Sequence, residues 1–248
     1  MGKFKHSKFV TIWMLALVFI TNGSAFAKDI VVAAVEVSQR GFWGEDGTAQ
    51  GSSVEITNTV AQAANIQVKN VIMPYPRILH NLEVGKVDLA LLVPNDKVTK
   101  VAIPLVHLQN VDFIIVGKRG TELNNVEDLT GKRVGYLRSS RISEKILENL
   151  DVINVEGDQY THMIQMLMHD RIDAMVAAKY TFNYSLKELG YTWNDLSAPL
   201  LMRQLELHLV FSKKKADESI IAALVAASTR TETKSIIQAI IDKYEHPW

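Results

Sequence analysis

Two segments of the chain, LEVGKVDLALLVP (82–94) and LMHDRIDAMVAAKY (167–180), repeat one pattern 85 residues apart. Each begins with an apolar stretch of helical character and reaches a turn, a basic residue and then an aspartate, Asp88 or Asp173. An apolar run follows each aspartate, which is typical of a strand buried on both faces. The repeat therefore predicts two similar units, in each of which a helix leads into a buried strand.

The elements that surround each copy follow the same order, β-α-β-α-β. Strands are predicted at 30–37, 66–74 and 87–94 in the first unit, and at 133–137, 151–156 and 171–178 in the second. Helices are predicted between them at 54–66, 75–85, 138–150 and 157–170. This order is typical of a parallel sheet with right-handed crossovers.

The remaining elements indicate how the two units are connected. Further strands are predicted at 111–118 and 205–214, and one or two amphipathic helices are predicted within 216–244. We expect the C-terminal tail to return to the first unit. The chain would then cross between the units near 111–118 and again near 198–204.

The predicted fold class is α/β, with two lobes that are each a mostly parallel sheet flanked by helices. Lobe 1 comprises residues 28–114 together with 201–248, and lobe 2 comprises residues 115–200. Because the chain crosses twice between the lobes, the crossings are expected to form a hinge. A cleft between hinged lobes is a favoured place for a small ligand.

The repeated aspartates themselves are predicted to be structural. Asp88 and Asp173 stand where a helix has ended and a strand begins, so their carboxylates can accept hydrogen bonds from turn amides. A ligand contact is the alternative. In open α/β sheets, however, ligands bind beyond the carboxyl ends of the strands, and these aspartates lie at the amino ends. We therefore expect the binding site at the other end of each strand.

Residues 1–27 are predicted to be a secretory signal peptide. A basic start, an apolar run and small residues at a cleavage site occur in that order: Lys3, Lys5 and Lys8, then VTIWMLALVFI (10–20), then Ala25 and Ala27. Cleavage is expected after Ala27. The apolar run is shorter than the ~20 residues of a membrane-spanning helix, so an uncleaved anchor is the less favoured alternative.

Composition limits the class further. The chain has no cysteine, so an exported form folds without disulfides and has no thiol to carry a lipid anchor. Basic and acidic residues number 27 each; without the three lysines of the signal segment the balance becomes 24 against 27, a net charge of −3. No basic run interleaved with aromatics indicates nucleic-acid binding. These features predict a soluble periplasmic protein, which we expect to be a monomer.

Two motifs resemble those of a known family. EDLTGKRVGYLRSSR (127–141) resembles a segment of the family 3 periplasmic solute-binding proteins, which include the polar amino-acid receptors of ABC transporters. MPYPRILHNLEVGKVDLAL (73–91) resembles a branch of that family with a PW-R motif, with Tyr75 in place of Trp. The resemblance extends over nearly all of residues 28–245. It implies the type II arrangement of two α/β lobes, which close on a small solute and deliver it to a membrane permease.

The resemblance carries some site positions over to this sequence. Lys97 aligns with the arginine that binds the ligand carboxylate in the amino-acid receptors; a lysine keeps the charge but lacks the planar, two-pronged geometry. Ser139, Ser140 and Arg141 correspond to the Gly-Thr-Thr that opens a helix in lobe 2. Hydroxyls, free amides and a basic side chain at a helix N-terminus favour an anion.

One departure from the family pattern bears on the ligand. The amino-acid receptors carry an aspartate near the end of the DAMVAA strand, where it binds the ligand ammonium, but this chain has Ala178 there. Basic residues predominate in the candidate loops: Arg77, Lys97, Arg138, Arg141 and Lys179. We therefore expect an anionic or polar organic ligand rather than an ordinary zwitterionic α-amino acid.

Four further side chains are candidates for the ligand site on their position in the predicted fold. Trp43 lies in a glycine-rich loop after the first strand, where it either stacks on a ligand or anchors the loop. Arg77 lies in the first turn of a helix, unfavourable for a cation, which indicates either an anion-binding role or a solvated surface arginine. Tyr160 and Tyr180 lie just past two strands of the second unit. The histidines lack the spacing of a metal site, and no cofactor is expected.

Three functions are compatible with this fold. The leading one is a solute receptor for an ABC importer. A periplasmic sensor subunit that reports ligand occupancy to a membrane kinase or cyclase would use the same closure. The third is a dehydratase-like enzyme, but the sequence contains no recognisable Ser-His-Asp set, nucleophilic cysteine or paired carboxylates. We therefore expect a binding protein and not an enzyme.

Overall fold

The computed structural model describes residues 30–37, 39–138 and 140–245. The predicted signal peptide (1–27) and Ser139 lie outside these ranges. The strands are β1 Ile30–Val35, β2 Phe42–Trp43, β3 Ala49–Gln50, β4 Val68–Met73, β5 Leu89–Leu92, β6 Ala102–Gly117, β7 Arg133–Leu137, β8 Ile153–Gly157, β9 Ala174–Ala178 and β10 Leu200–Ser212. The helices are α1 Ser52–Ala63, α2 Tyr75–Glu83, α3 Asp96–Val101, α4 Arg141–Leu147, α5 Tyr160–Met168, α6 Lys179–Glu188, α7 Glu218–Thr229 and α8 Thr231–Glu245. Within those ranges, none of the helices combines the length and the apolar character needed to cross a membrane.

The central sheet has the strand order β4-β1-β5-β10-β6-β9-β7-β8. Strand β1 pairs in parallel with β4 and β5, and β7 pairs in parallel with β8 and β9, as the two β-α-β-α-β units predict. We refer to β4-β1-β5 as the first half-sheet and to β8-β7-β9 as the second half-sheet. Strands β6 and β10 form an antiparallel ribbon between the two half-sheets.

The half-sheets attach to opposite ends of the ribbon and leave a gap between them. Leu92, the last residue of β5, pairs with His208, which in turn pairs with His107 of β6. Ala178, the last residue of β9, pairs with Phe113 of β6. Because β5 runs parallel to β6 and β9 runs against it, both half-sheets point their carboxyl ends into this gap. The step from residue 107 to residue 113 of β6 spans about 20 Å at ~3.3 Å per residue.

Irregularities in the ribbon flank the gap. The pairing of β10 with β6 shifts register at three places, between Leu201 and Arg203, between Leu207 and His208, and between Leu209 and Val210. A regular ladder from Arg203 to Leu207 lies between the first two shifts, in the part of the ribbon that crosses the gap. Bulges of this kind bend a strand and increase its local twist.

The ribbon strands are longer than predicted. Strand β6 begins at Ala102 and not at 111, and β10 begins at Leu200 and not at 205. The predicted starts were wrong because polar residues or proline interrupt the apolar pattern: Pro104, Gln109 and Asn110 in β6, and Arg203 and Gln204 in β10. Pro104 is tolerated because β9 joins the other edge of β6 only further along, so that the edge beside Pro104 carries no ladder to β9. The lobe boundaries at 114/115 and 200/201 stay a prediction.

Two local elements also differ from expectation. Lys179 and Tyr180, expected in a loop, are the first residues of α6, which follows β9 directly with Ala178 at its N-cap. The glycine-rich segment after β1, expected to be an irregular loop, contains the hairpin β2–β3. Both elements lie beside the gap because they follow the carboxyl ends of β9 and β1.

Each half-sheet has its own apolar layers on both faces. Val32 of β1 packs in a cluster with α1, α7 and α8, whereas its neighbour Ala33 packs on the other face with α2 and α3. In the second half-sheet, Met175 of β9 packs with α5 and α6, and Val176 packs with α4. Full burial of a Val-, Leu- or Met-sized side chain contributes ~1.5–3 kcal/mol, so each half-sheet has a hydrophobic core of its own.

The repeated segments form the same local structure twice. Helices α2 and α5 are each followed by a residue in the left-handed region, Gly85 with φ 72° and Asp170 with φ 57°. The next residues, Lys86 and Arg171, donate their N–H groups to carbonyls five residues earlier, at 2.8 Å and 2.9 Å. This is the Schellman ending of a helix, and it turns the chain back towards the sheet.

Asp88 and Asp173 each bond the neighbouring parallel strand in both directions. The N–H of Asp88 donates to the Val31 carbonyl and its carboxylate accepts the Val31 N–H, both at 2.9 Å. Asp173 does the same with Arg133, both at 2.8 Å. The structural role predicted for the two aspartates is confirmed, but the amide donors belong to the adjoining strand and not to the turn.

Candidate binding site at the gap between the half-sheets

The loops that line the gap are those that follow the carboxyl ends of the parallel strands, where open α/β sheets bind ligands. They begin after Val35, Met73 and Leu92 on the first side, and after Leu137, Gly157 and Ala178 on the second. The predicted site residues fall on both sides: Trp43, Arg77 and Lys97 on the first, and Ser140, Arg141, Tyr160 and Tyr180 on the second. Ser139 lies outside the described residues. The structure therefore assigns the predicted residues to two sides of one gap.

A polar link on the first side connects the loops after β4 and β5. The Asn95 side-chain oxygen accepts the N–H groups of Lys97 and Val98 at 3.0 Å and 3.2 Å, which caps α3. The Asn95 side-chain amide also donates to the Tyr75 hydroxyl at 3.2 Å. The Lys97 and Arg77 side chains are exposed, so both predicted cations are available at the surface of this side.

The arginines of the second side are balanced by carboxylates. Arg138 forms ion pairs with Glu156 at 3.0 Å and Asp158 at 3.1 Å, and the Glu156 hydrogen bond is the main reason that the pKa of Arg138 is raised. Arg141 pairs with Glu144 at 3.3 Å on α4. The net positive character predicted for these loops is therefore reduced by neighbouring acids.

Ser140 holds the start of α4 and does not leave a free hydroxyl. Its Oγ accepts the Ser143 N–H at 3.2 Å and lies 2.7 Å from the Ser143 Oγ. The helix spans Arg141–Leu147, which is short. The anion-binding helix start predicted here is therefore largely occupied by its own capping bonds.

Tyr160 is buried and supports β9 from beneath. Its hydroxyl accepts the Ala178 N–H at 3.1 Å, and burial raises the pKa of Tyr160 to about 12. That bond ties the end of β9 to the start of α5. Tyr160 thus shapes the rim of the gap, and its predicted contact with a ligand stays a prediction.

Tyr180 joins the second half-sheet to the first. It is the second residue of α6, it is 7% exposed, and its hydroxyl donates to the Gln39 carbonyl at 2.8 Å. Gln39 belongs to the loop after β1, so this hydrogen bond connects the two sides of the gap. Trp43, in contrast, is 52% exposed on the hairpin, and its proposed stacking role stays a prediction.

Arg40 is a residue at the gap that the sequence analysis missed. It is partly buried, and its Nη2 donates to Ser53 Oγ at 3.4 Å. Burial lowers the pKa of the Arg40 guanidinium, while the Tyr180 hydroxyl nearby acts in the opposite direction. A signal was present in the sequence: a lone arginine at the carboxyl end of the first strand, followed by a glycine and then a second glycine-rich turn.

Two surface cavities differ in their relation to the gap. One, of about 410 Å³, lies beside the Tyr180 contact between α6, α8 and the loop after β1, with the lining Gln39, Tyr184, Lys187, Glu188, Lys243 and Tyr244. Another, of about 480 Å³, lies at the amino ends of the second half-sheet among Lys118, Lys132, Asp170 and Asp173. Only the first adjoins the loops of the gap. Across the described ranges, no group of three or more His, Asp or Glu side chains could hold a metal ion.

Comparisons with known proteins agree with this architecture. No protein-family model matches the chain. A probable amino-acid-binding protein of Bacillus subtilis (strain 168), YxeM, is 21% identical over 234 residues, which cover 90% of this chain and 88% of that protein. An ancestral arginine-binding protein bound to arginine has a TM-score of 0.66 and 19% identity, over 87% of this chain and 97% of its own.

A second solved structure matches equally well and belongs to another functional class. It is a histidine kinase sensor domain with similarity to periplasmic binding proteins, with a TM-score of 0.68 and 17% identity over 88% of this chain and 96% of its own. The resemblance predicted from the sequence is confirmed by these likenesses. The chain therefore has the periplasmic-binding-protein-like α/β fold, with one large central sheet flanked by helices.

Proposed function

We propose that this protein is a periplasmic solute-binding protein that captures a small polar or anionic organic solute, of amino-acid size, for an ABC importer. The observation that supports this most is the gap, into which both half-sheets direct the carboxyl ends of their parallel strands. A solute held there would contact loops from both sides at once. The relative from Bacillus subtilis and the ancestral arginine-binding protein, both amino-acid-binding by name, support the same class of ligand.

The two-lobed division accounts for how capture would proceed. Lobe 1 takes residues 28–114 and 201–248, lobe 2 takes residues 115–200, and the ribbon across the gap acts as the hinge. Trp43, Arg77, Lys97, Ser139, Ser140, Arg141, Tyr160 and Tyr180 are the ligand-binding residues of this proposal. The closed form would present a face to a membrane permease that the open form does not.

A ligand-sensing subunit of a membrane signalling protein is the second candidate. The similarity to a histidine kinase sensor domain favours it. Co-purification from membranes separates the two, because an importer subunit associates with a permease and a sensor subunit associates with a kinase or cyclase. In either role we propose that the protein is exported by its signal segment, acts as a monomer, binds no nucleic acid and is not an enzyme.

A thermal-shift screen tests the proposed function. The purified protein is heated with amino acids, organic acids and amines, and a ligand at 100 times its dissociation constant should stabilise the folded state by about 2.7 kcal/mol. We expect organic anions to raise the melting temperature more than simple α-amino acids do. If no class raises it, the proposal of a solute receptor fails. If lysine or arginine is clearly preferred, the proposed ligand class is wrong while solute binding stands.

A further inference from the structure

Arg40 follows Gln39, whose carbonyl accepts the Tyr180 hydroxyl from the other side of the gap. Its guanidinium contacts Ser53 in the first turn of α1, and it interacts electrostatically with Tyr180 in the first turn of α6. These two helices belong to different half-sheets. Because the Tyr180 hydroxyl bonds the carbonyl of Gln39, the residue before Arg40, a group that binds Arg40 from the gap would lie beside elements of both sides.

Among the described residues, no acid balances the charge of Arg40. None of the ion pairs within the described residues involves it, and Ser53 Oγ is the one hydrogen-bond partner of its guanidinium there. An arginine guanidinium has five N–H donors in a planar fork. Among the described residues, most of these donors in Arg40 have no hydrogen-bond partner. Arg138 and Arg141 differ in this respect, because each already pairs with a carboxylate.

The loop that carries Arg40 is held tightly in place. The carbonyls of Gln39 and Arg40 accept the N–H groups of Ser52 and Ser53 at 2.8 Å and 3.1 Å. A Cβ at Gly51, where φ is 118°, would lie 2.5 Å from the Arg40 carbonyl oxygen, so this close approach requires glycine. The guanidinium is thus attached to a backbone whose position α1 determines, and preorganisation of this kind lowers the entropic cost of binding.

A partly buried cation without an acid partner is unfavourable for the folded protein on its own. Such a group is expected where a ligand supplies the missing negative charge. A carboxylate matches the fork of an arginine with two parallel hydrogen bonds, which an exposed lysine such as Lys97 cannot offer. On the other side of the gap, the last residue of β9 is Ala178, which has no carboxylate that could bind a ligand ammonium.

We propose that Arg40, rather than Lys97, binds the ligand carboxylate at this gap, and that the ligand is an organic acid without an amino group beside that carboxylate. The inference rests on the proposed function as a solute receptor. Ser53 orients the guanidinium, and the bound carboxylate brings α1 and α6 together around it.

The test compares Arg40→Gln, Arg40→Lys and Arg171→Gln with the wild-type protein. Arg171 is exposed beyond the amino end of β9, on the side of the half-sheet that faces away from the gap, so its variant is a control with the same change of charge. Pyruvate, succinate, glutamine, arginine and putrescine are titrated into each protein by calorimetry. We expect pyruvate or succinate to bind best, Arg40→Gln to weaken that binding at least tenfold, Arg40→Lys to weaken it less, and Arg171→Gln to leave it unchanged.

Unfolding without ligand distinguishes a binding role from a structural one. Because Arg40 has no acid partner among the described residues, Arg40→Gln should unfold in urea at the same or a higher midpoint than the wild type. A lower midpoint would indicate a structural arginine and would overturn the inference, as would equal binding of the acids by Arg40→Gln or a preference for putrescine. If the wild type bound none of the five compounds while a neutral solute raised its melting temperature, solute capture would stand and the carboxylate assignment would fall.

Discussion

At the scale of single residues, the Asp173 side chain connects the starts of two neighbouring strands, β9 and β7. Its carboxylate accepts the N–H and Nε of Arg133 at 2.8 Å and 3.1 Å, and its other oxygen accepts Nη2 at 2.8 Å. These bonds, of which the Arg133 side chain is the main cause, hold the pKa of Asp173 below its usual value. The carboxylate therefore ties the start of β9 to the start of β7 for as long as it is ionised.

Asp173→Asn is expected to lower the free energy of unfolding by about 1 kcal/mol at pH 7. Hydrogen bonds to a charged group stabilise more than neutral ones do, but the partial exposure of this pair reduces their contribution. A carboxyl group whose pKa is lowered in the folded state stabilises the folded protein at pH values above its unfolded-state pKa, near 3.9. This stabilisation is lost as the pH falls through the pKa of the folded state. The difference between wild type and variant in urea unfolding should therefore shrink from pH 5 to pH 3. Asp151→Asn, an exposed aspartate, is the control; a difference that did not change with pH would contradict this account.

Tyr160 predicts a pH effect at the alkaline end. Its pKa in the folded protein is about 12, against about 10 for a free tyrosine, because burial disfavours the phenolate. The unfolded chain therefore loses the proton first, and stability falls as the pH rises from 10 to 12. A difference of two pKa units corresponds to about 2.7 kcal/mol of unfolding free energy, which the wild type should lose over this pH range and Tyr160→Phe should keep.

The measurement for Tyr160 is the difference in unfolding free energy between wild type and Tyr160→Phe. At pH 7 we expect the variant to be less stable by about 1 kcal/mol, since the Ala178 N–H loses its acceptor. Other tyrosines and lysines titrate equally in both proteins, so their effects cancel. If the unfolding free energies of wild type and Tyr160→Phe ran parallel from pH 9 to pH 12, burial would not raise the pKa of Tyr160.

The residues at the gap show how far single positions could be predicted. Tyr180 could be located from the sequence because it directly follows an apolar strand, and its contact with a ligand stays a prediction. Arg40 was missed because its importance depends on what surrounds it, namely Ser53 and Tyr180, which lie 13 and 140 residues away along the chain. The acids that pair with Arg138, Glu156 and Asp158, were overlooked for the same reason, whereas Glu144 lies three residues after Arg141 on the same helix, a local spacing that was not used.

At the scale of elements, the repeated segments 82–94 and 167–180 encode the endings of α2 and α5. Gly85 lies in the left-handed region with φ 72°, and a Cβ there would lie 3.1 Å from the side chains of Lys214 and Lys215. Asp170 adopts the equivalent conformation at the end of α5 and carries a side chain in it. The two copies therefore conserve the turn while differing in the residue that makes it.

Gly85→Ala should lower the free energy of unfolding by about 1–2 kcal/mol, because a left-handed alanine is strained. Chemical unfolding at pH 7 measures the change. Lys86→Ala, at the exposed position that follows, is the control and should stay within about 0.5 kcal/mol of the wild type. A loss for Lys86→Ala as large as that for Gly85→Ala would mean that strain at the turn is not the cause.

The strands and helices with regular apolar patterns were predictable, and the elements at the gap were less so. β1, β5 and β9 follow uninterrupted apolar runs, β7 follows a shorter run that includes Gly135, and each was found where the sequence predicts it. Strand β6 mixes exposed, half-buried and buried positions along its first half, and β10 is exposed or half-buried from Leu200 to Glu206 and mostly buried only from Leu207 onward, so the apolar pattern of both is broken. Helix α6 begins without a polar cap, which removes the usual sequence signal for a helix start.

At the scale of the whole molecule, two half-sheets share one ribbon and are also joined by contacts such as that of Tyr180 with Gln39. This arrangement followed from the repeated β-α-β-α-β order, since two similar parallel units need a place to join. The single continuous sheet was not expected, because strand pairing across the ribbon depends on contacts between residues far apart in the chain. The gap nevertheless lies where the parallel order requires it, at the carboxyl ends of both half-sheets.

Arg77→Ala and Lys97→Ala test the first side of the gap as a binding surface. Both side chains are exposed and have no ion pair among the described residues, so neither substitution should lower the melting temperature of the unliganded protein. If these cations attract an anionic solute, each should weaken its binding severalfold in calorimetry. Unchanged affinity in both variants would remove the two residues from the proposed site and leave the Arg40 assignment to be judged on its own variants.

The register shifts in the ribbon have a mechanical consequence. Five consecutive residues of β10, from Arg203 to Leu207, keep a regular ladder with β6, and a break in pairing follows at either end. A rigid paired segment with interrupted pairing on each side would let the two half-sheets rotate relative to each other without stretching the backbone between them. Amide hydrogen exchange should therefore be fast next to Leu201 and His208 and slow at Leu205. Uniform protection along β10 would mean that the ribbon bends evenly along its length.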